Sequence, residues 1–246
     1  MHEKIVESFD RTKIAFNHFK QQRRDTVIVI CHGFWMCKDA KPFLGLSRDF
    51  FNYYDIIAMD QRGHGNSGGT FTFSSKEHKD IKSVINYSKK TYKHVYLMGF
   101  SLGAASSVVE VAEEKNVDGL IVVSAPVSFE NIENRFLTKE ILMSSIHKFG
   151  THLFKLRPGP ISKDKTRPVD VIDHISPIPL LIIQGEKDPI IFKRHAEILY
   201  QKAKEPKQII MIKGGLHAED LYIQNPNDFM NYCISWLREL PSSISN

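Results

Sequence analysis

Gly99-Phe100-Ser101-Leu102-Gly103 sets a serine between two glycines, directly after the apolar run Val95–Met98 and before a helical stretch reaching about Lys115. A strand-to-helix turn of this kind holds a serine hydroxyl exposed above a sheet, and the glycines let strand and helix come close. The other reading of such a serine is a helix N-cap. A hydroxyl is a weak nucleophile near neutral pH and needs a base. Of the eleven histidines, His217 is the candidate, because Gly214-Gly215-Leu216-His217 follows the last strand-like run and can reach over the serine. His32 and His64 also follow strand ends. His32 is read as a positioning residue, and His64 as solvated or bonded to backbone. An imidazole base needs an acid that fixes its tautomer and stabilises the imidazolium. Asp188, in Gly185-Glu186-Lys187-Asp188, is that acid, with Glu186 the nearest substitute and Asp60 a distant one. Backbone N–H groups must then face the developing oxyanion. Leu102 supplies one from the start of its helix, where amides lack intrahelical partners. Phe34 is the expected second donor, from the turn His32-Gly33-Phe34, the other reading of which is an ordinary glycine turn with an apolar plug.

These residues need a scaffold that brings strand ends together. Ile5–Phe9 and Lys13–Phe19 read as a hairpin around Asp10-Arg11. Val27–Cys31 and Asp55–Met59 are continuous β-branched or apolar runs, the mark of strands buried on both faces. Val95–Met98, Leu120–Val123, Leu180–Ile183 and Gln208–Ile212 continue the series. Helical spacing falls between them over Ala40–Phe51, Lys76–Tyr92 and Phe192–Lys202. It closes the chain over Phe229–Leu240, with Phe229, Tyr232, Cys233, Trp236 and Leu237 on the inward side. Strands alternating with helices predict an α/β fold, a mostly parallel central sheet with helices on both faces. The interval 128–177 is too long for one connection. Leu142, Ile146, Phe149 and Leu153 recur there near helical spacing, which predicts a small helical cap inserted over the sheet. The expected organisation is one domain, with the core in 1–127 and 178–246 and the cap in 128–177.

Composition narrows the function classes. The 246 residues are 42% hydrophobic and 25% charged, which fits a globular chain and argues against disorder. The net charge of +5 raises nucleic acid as a partner. No zinc-ligand spacing, RNA-binding signature or basic helix accompanies it, so no nucleic-acid partner is expected. Three cysteines, Cys31, Cys37 and Cys233, do not make a disulfide framework and suit a reducing compartment. The stretch from Met1 to Glu7 lacks the apolar core of a signal peptide, and Val27–Cys31 is far too short to span a membrane. The expectation is a cytoplasmic protein without stable membrane insertion. Its oligomeric state cannot be read from the sequence.

Taken together, His32-Gly33-Phe34, Asp60-Gln61-Arg62-Gly63-His64-Gly65-Asn66-Ser67, Gly99-Phe100-Ser101-Leu102-Gly103, Gly185-Glu186-Lys187-Asp188 and Gly215-Leu216-His217 resemble the α/β-hydrolase superfamily. The chain order Ser101, Asp188, His217 is the order of its elbow enzymes. The likeness spans nearly the whole chain. Within the superfamily it resembles the serine-aminopeptidase-like branch that includes monoglyceride lipases and bacterial cinnamoyl/feruloyl esterases. It implies the α/β-hydrolase fold and a Ser–Asp–His hydrolase without metal or cofactor. It assigns no chemistry to Asp60–Ser67. Ala104 stands where a second glycine often follows the elbow, and a single glycine, Gly33, replaces the multi-glycine loop of many lipases. Trp35 with Phe34, and Leu142, Ile146 and Phe149 of the cap, are therefore the expected pocket residues. The expected substrate is a small-molecule carboxylic ester with a small to medium acyl or aryl group. Amidase, aminopeptidase and thioesterase chemistry share the same residues. An aminopeptidase would use carboxylates such as Glu130, Glu133 and Glu140 to hold a substrate ammonium, although their spacing also suits a solvated helix face. A different class, a non-catalytic ligand-binding protein on the same fold, is the remaining alternative.

Overall fold

A computed structural model describes residues 1–130, 155–160 and 165–240. Its centre is an eight-stranded sheet. The strands are β1 (His2–Glu7), β2 (Lys13–Phe19), β3 (Thr26–Cys31), β4 (Asp55–Met59), β5 (His94–Phe100), β6 (Gly119–Val123), β7 (Leu180–Gly185) and β8 (Lys207–Ile212), in the spatial order β1-β2-β4-β3-β5-β6-β7-β8. β1, β2 and β4 pair antiparallel, and every pair from β4–β3 onward is parallel. The first strand lies at His2–Glu7 rather than Ile5–Phe9. Ser8 and Arg11 close the turn instead, with Ser8 N–H donating to Thr12 O (2.9 Å) and Arg11 at φ 62°.

The helices α1 (Lys41–Phe51), α2 (Glu77–Lys89), α3 (Leu102–Glu114), α4 (Pro168–Val171), α5 (Lys193–Lys202), α6 (Glu219–Gln224) and α7 (Pro226–Glu239) cover both faces. The continuous apolar strands explain this. Val27, Val29 and Cys31 face one layer while Ile28 and Ile30 face the other; Val95 and Leu97 oppose Tyr96, Met98 and Phe100 in the same way. Apolar side chains of α1, α6 and α7 form the first layer, on the Ile28 and Ile30 face, and those of α2, α3 and α5 form the second, on the Val27, Val29 and Cys31 face. Ile172 and Ile175, just past α4, are also buried in the second layer, so this end of the interval 128–177 packs on the sheet's own core. Leu142, Ile146, Phe149 and Leu153 lie outside the described residues, as do Glu133 and Glu140.

α7 starts earlier than its apolar stripe suggests. Asn225 caps it by accepting from Asp228 N–H (3.3 Å), and Pro226 follows at the first helical position. Tyr232 is 39% exposed, not inward, because the buried stripe runs through Phe229, Cys233, Trp236 and Leu237. α6 was not legible as a separate helix.

From β3 the chain moves through α1 to β4 on one side, then steps back over β3 through α2 to β5. The segments leaving β3 and β5 therefore diverge to opposite faces. This reversal opens a crevice at the carboxyl ends of the strands. Cys31, Phe100, Gly185 and Ile212 end strands there, and each is followed by one part of the predicted constellation.

Candidate active site

Ser101 sits on the turn between β5 and α3 at φ 52°, ψ −117°. A non-glycine residue held there costs on the order of 1–3 kcal/mol, and the surroundings must over-determine it. Ser101 N–H donates to Val123 O (2.8 Å), and Ser101 O accepts from Ala105 N–H (3.0 Å). The flanking glycines are required by close approach. A Cβ on Gly99 would lie 2.6 Å from Ala104 Cα, and one on Gly103 would lie 2.4 Å from His32 O. Gly103 thus lets α3 start directly against the segment that follows β3.

The hydroxyl meets the imidazole. His217 Nε2 lies 3.1 Å from Ser101 Oγ, and His217 Nδ1 lies 2.8 Å from Asp188 Oδ2. A carboxylate accepts only, so Nδ1 carries the proton and Nε2 is left to accept from the serine. Asp188 is fully engaged: Oδ1 accepts from Ile190 N–H (2.9 Å) and Ile191 N–H (2.8 Å), and Oδ2 also accepts from Gln184 Nε2–H (3.2 Å). Burial pushes the Asp188 carboxyl up. The adjacent His217 and these donors outweigh it and hold the group below the usual carboxylate range.

The alternatives are placed elsewhere. Glu186 is exposed. Asp60 is buried and accepts from Lys38 N–H (2.7 Å) and Asn66 N–H (2.8 Å); burial pushes its carboxyl up to about 6. His32 is locked between Gly33 O (2.7 Å, Nδ1) and Gln61 N–H (3.1 Å, Nε2), as a positioning residue would be. His64 is buried, not solvated, and bonds to backbone.

The turn His32-Gly33-Phe34 abuts the serine, since a Cβ on Gly33 would lie 3.1 Å from Ser101 Cβ. Leu102 N–H is the first amide of α3 and has no intrahelical acceptor. Beside this corner lies a third apolar cluster of Phe71, Phe73, Leu102, Ala105, Phe129 and Ile191, with Phe34 packed on it. Phe34 and Phe71 ring centroids are 4.9 Å apart, and Phe71 and Phe73 4.7 Å. Trp35 is partly buried against the first helix layer, 5.4 Å from the Phe34 ring.

Residues 22–168, more than half of the chain, match the model of the family described as serine aminopeptidase, S33. The chain belongs to the serine aminopeptidase S33 family. Its fold is the α/β-hydrolase fold. The esterase RhEst1 from Rhodococcus sp. ECU1013 superposes with a TM-score of 0.80 at 17% identity, covering 98% of this chain and 100% of that one. The α/β hydrolase GrgF from Penicillium sp. sh18 gives 0.79 at 18%, covering 98% and 99%. The Pyrococcus furiosus esterase Pf2001 gives 0.78 at 19%, covering 97% and 92%. Among curated proteins, uncharacterized protein YfhR of Escherichia coli K12 is 27% identical over 72% of this chain and 60% of its own length. Uncharacterized protein YqkD of Bacillus subtilis is 27% identical over 82% of this chain and 68% of its own. The chain thus spans little more than half to two thirds of these relatives.

The S33 match ends at residue 168, so Asp188 and His217 stand on geometry alone. Four further residues contribute to the S33 chain's site and are not among those the sequence pattern singles out. Gln184, a buried polar residue ending an apolar strand, also donates from Nε2 to Ile191 O (2.9 Å), bracing the Asp188 turn. Ser124 Oγ, after β6, accepts from Ala218 N–H (2.9 Å), anchoring the His217 segment. Phe71 and Phe73 join the apolar cluster beside the serine turn from the loop after Gly69. A polar residue at a buried strand end is a readable signal for Gln184; nothing local points to the other three. Among the described residues, no helix is long and apolar enough to cross a membrane, and no cluster of His, Cys, Asp and Glu is arranged to hold a metal.

Proposed function

We propose that the protein is a serine hydrolase acting on carboxylic esters of small to medium acyl or aryl groups. The observation that carries this is the relay Ser101 Oγ–His217 Nε2 at 3.1 Å and His217 Nδ1–Asp188 Oδ2 at 2.8 Å, on a serine held at positive φ above the sheet. Ser101 attacks the ester carbonyl as His217 takes its proton. The Phe34 and Leu102 amides receive the oxyanion. His217 returns the proton to the departing alcohol, leaving an acyl group on Ser101. Water, deprotonated by His217, then releases the acid. Asp188 holds the imidazole tautomer and stabilises the imidazolium.

The corner beside the nucleophile favours an apolar acyl group, since Phe34, Phe71, Phe73 and Phe129 gather there. Trp35 borders it, and Leu142, Ile146 and Phe149 of the interval 128–177, outside the described residues, are proposed from the sequence as further determinants of substrate shape. The family's description favours a second reading, an aminopeptidase. Such an enzyme needs a carboxylate for a substrate ammonium, and Glu130, the described candidate, is exposed.

A panel of p-nitrophenyl esters of rising acyl length, run beside aminoacyl amides, separates the two. Hydrolysis of short and medium esters is expected, and turnover of amides alone would support the aminopeptidase. Ser101→Ala is expected to lower kcat by about 10⁴–10⁶. A fluorophosphonate probe is expected to label Ser101. An unlabelled, inactive wild-type protein would favour a ligand-binding role.

A further inference from the structure

Asp60-Gln61-Arg62-Gly63-His64 carries no assigned chemistry, yet its residues reach one after another into the segment 32–38 that holds the proposed oxyanion donor. Asp60 Oδ1 takes Lys38 N–H (2.7 Å), Gln61 N–H donates to His32 Nε2 (3.1 Å), and Gln61 Nε2 donates to His32 O. His64 Nε2 takes Trp35 N–H (3.3 Å). This last bond falls on a residue of strained backbone. Trp35 has φ 63°, a backbone state that a bulky residue does not hold without support. A backbone bond within this turn, Met36 N–H to Gly33 O, is long at 3.4 Å. The plane of the peptide joining Phe34 and Trp35 is set by where the Trp35 N–H points, and the Phe34 N–H lies one peptide earlier.

The imidazole is built for this task. His64 Nδ1 lies 3.1 Å from Arg62 O, and a carbonyl only accepts, so Nδ1 bears the proton and Nε2 presents a lone pair to Trp35. The ring is wedged among Phe71 (4.8 Å, 86°), Phe34 (5.9 Å, 82°) and His32 (5.1 Å, 63°). Burial, then His32 nearby, push the His64 imidazole well below its usual range, which favours the neutral ring. A protonated Nε2 would set N–H against N–H and release the turn.

We propose that His64 is a positioning residue: its Nε2, fixed as an acceptor by the Arg62 carbonyl, holds the Trp35 amide and thereby aims the Phe34 N–H at the oxyanion. This rests on the serine-hydrolase reading above. The role shows up in the transition state, not in ground-state binding, because the Phe34 amide binds charge that develops only during attack.

The test compares His64→Gln, whose amide oxygen reaches about as far as Nε2, with His64→Asn, which is equally polar but too short, and His64→Phe, which keeps a ring without an acceptor. Ester hydrolysis is measured together with affinity for an alkyl boronic acid, a transition-state mimic. A donor to the oxyanion is worth on the order of 10²–10³ in kcat, and misplacing it by about 1 Å costs roughly 10². His64→Asn and His64→Phe are expected to lose about 10²-fold in kcat and in boronate affinity, with KM within a few-fold, and His64→Gln to recover most of both. Equal activity of the Gln and Asn variants, or a loss confined to KM, overturns the proposal. Should the variants not fold, the ¹H–¹⁵N spectrum of the wild-type protein decides it: the Nδ1–H tautomer at His64 is required, and an Nε2–H tautomer refutes the assignment. A wild-type protein that neither hydrolyses esters nor takes the fluorophosphonate label at Ser101 would instead overturn the underlying serine-hydrolase reading.

Discussion

Replacing Asp188 with asparagine tests the relay where its geometry is most constrained. Every group around the carboxylate is a donor. Ile190 and Ile191 amides point at Oδ1, and His217 Nδ1 and Gln184 Nε2 point at Oδ2. Asparagine offers one acceptor oxygen and one donor NH₂. Turned toward Oδ1, the NH₂ would oppose two backbone N–H groups that cannot change their protonation. Turned toward Oδ2, it opposes Gln184 at a long 3.2 Å and His217, whose imidazole can move its proton. The second arrangement wins, and His217 shifts to the Nε2–H tautomer. Nε2 then points a proton at Ser101 Oγ instead of a lone pair and cannot act as base. The same kind of tautomer inversion in a serine-protease triad costs about 10⁴ in kcat, which at 1.36 kcal/mol per decade is about 5 kcal/mol of transition-state stabilisation. The assay is steady-state hydrolysis of the best p-nitrophenyl ester from the panel. Asp188→Asn is expected to lower kcat by about 10⁴ with little change in KM, while Glu186→Gln stays near wild type. A loss below about ten-fold in Asp188→Asn would refute both the tautomer argument and the assignment of Asp188 as the acid.

Two other outcomes follow from buried groups. Glu110, on α3, has its carboxyl pushed up to about 8, chiefly by burial, with Asn116 Nδ2 donating to it at 2.9 Å. A folded pKa above the unfolded one means the native state binds the extra proton, so stability falls as pH rises from about 4.5 through 8. Glu110→Gln imitates the protonated form and is expected to raise stability at pH 9 by roughly 1–3 kcal/mol, with little gain at pH 5. Thermal melts at the two pH values check this, and an equal effect at both would contradict it. Gly99→Ala would drive a Cβ to 2.6 Å from both Ala104 Cα and Ser107 Oγ. It is expected to cost about 1–3 kcal/mol, lowering Tm by several degrees, and to reduce kcat by shifting the serine; an unchanged melt would contradict the close approach.

Much of this site was written in short stretches of chain. Ser101, Asp188 and His217 each follow a strand within a turn rich in glycine or polar residues, and their order suits one topology. The alternation of apolar strands with helical stripes gave the layers, because a strand buried on both faces has to be apolar at every position. The errors were local in origin. Tyr232 reads as inward because a stripe taken without its helix start has no fixed phase, and in the structure Asn225-Pro226 sets that start. The first strand shifted because Ser8–Arg11 closes the turn through backbone bonds that side-chain periodicity does not register.

The sequence by itself determined which side chains could attack, accept a proton and orient the base, since those properties belong to residue types and to their places at strand ends. The tertiary structure decided which of the described histidines and carboxylates are within reach of one another. His217 meets a serine 116 positions away, Ser124 holds an amide 94 positions away, and His64 grips a turn 29 positions back. Such contacts depend on strand order and on the divergence of segments after β3 and β5. Hydrogen bonds act over about 3 Å, and only the folded sheet brings residues so far apart along the chain to that distance.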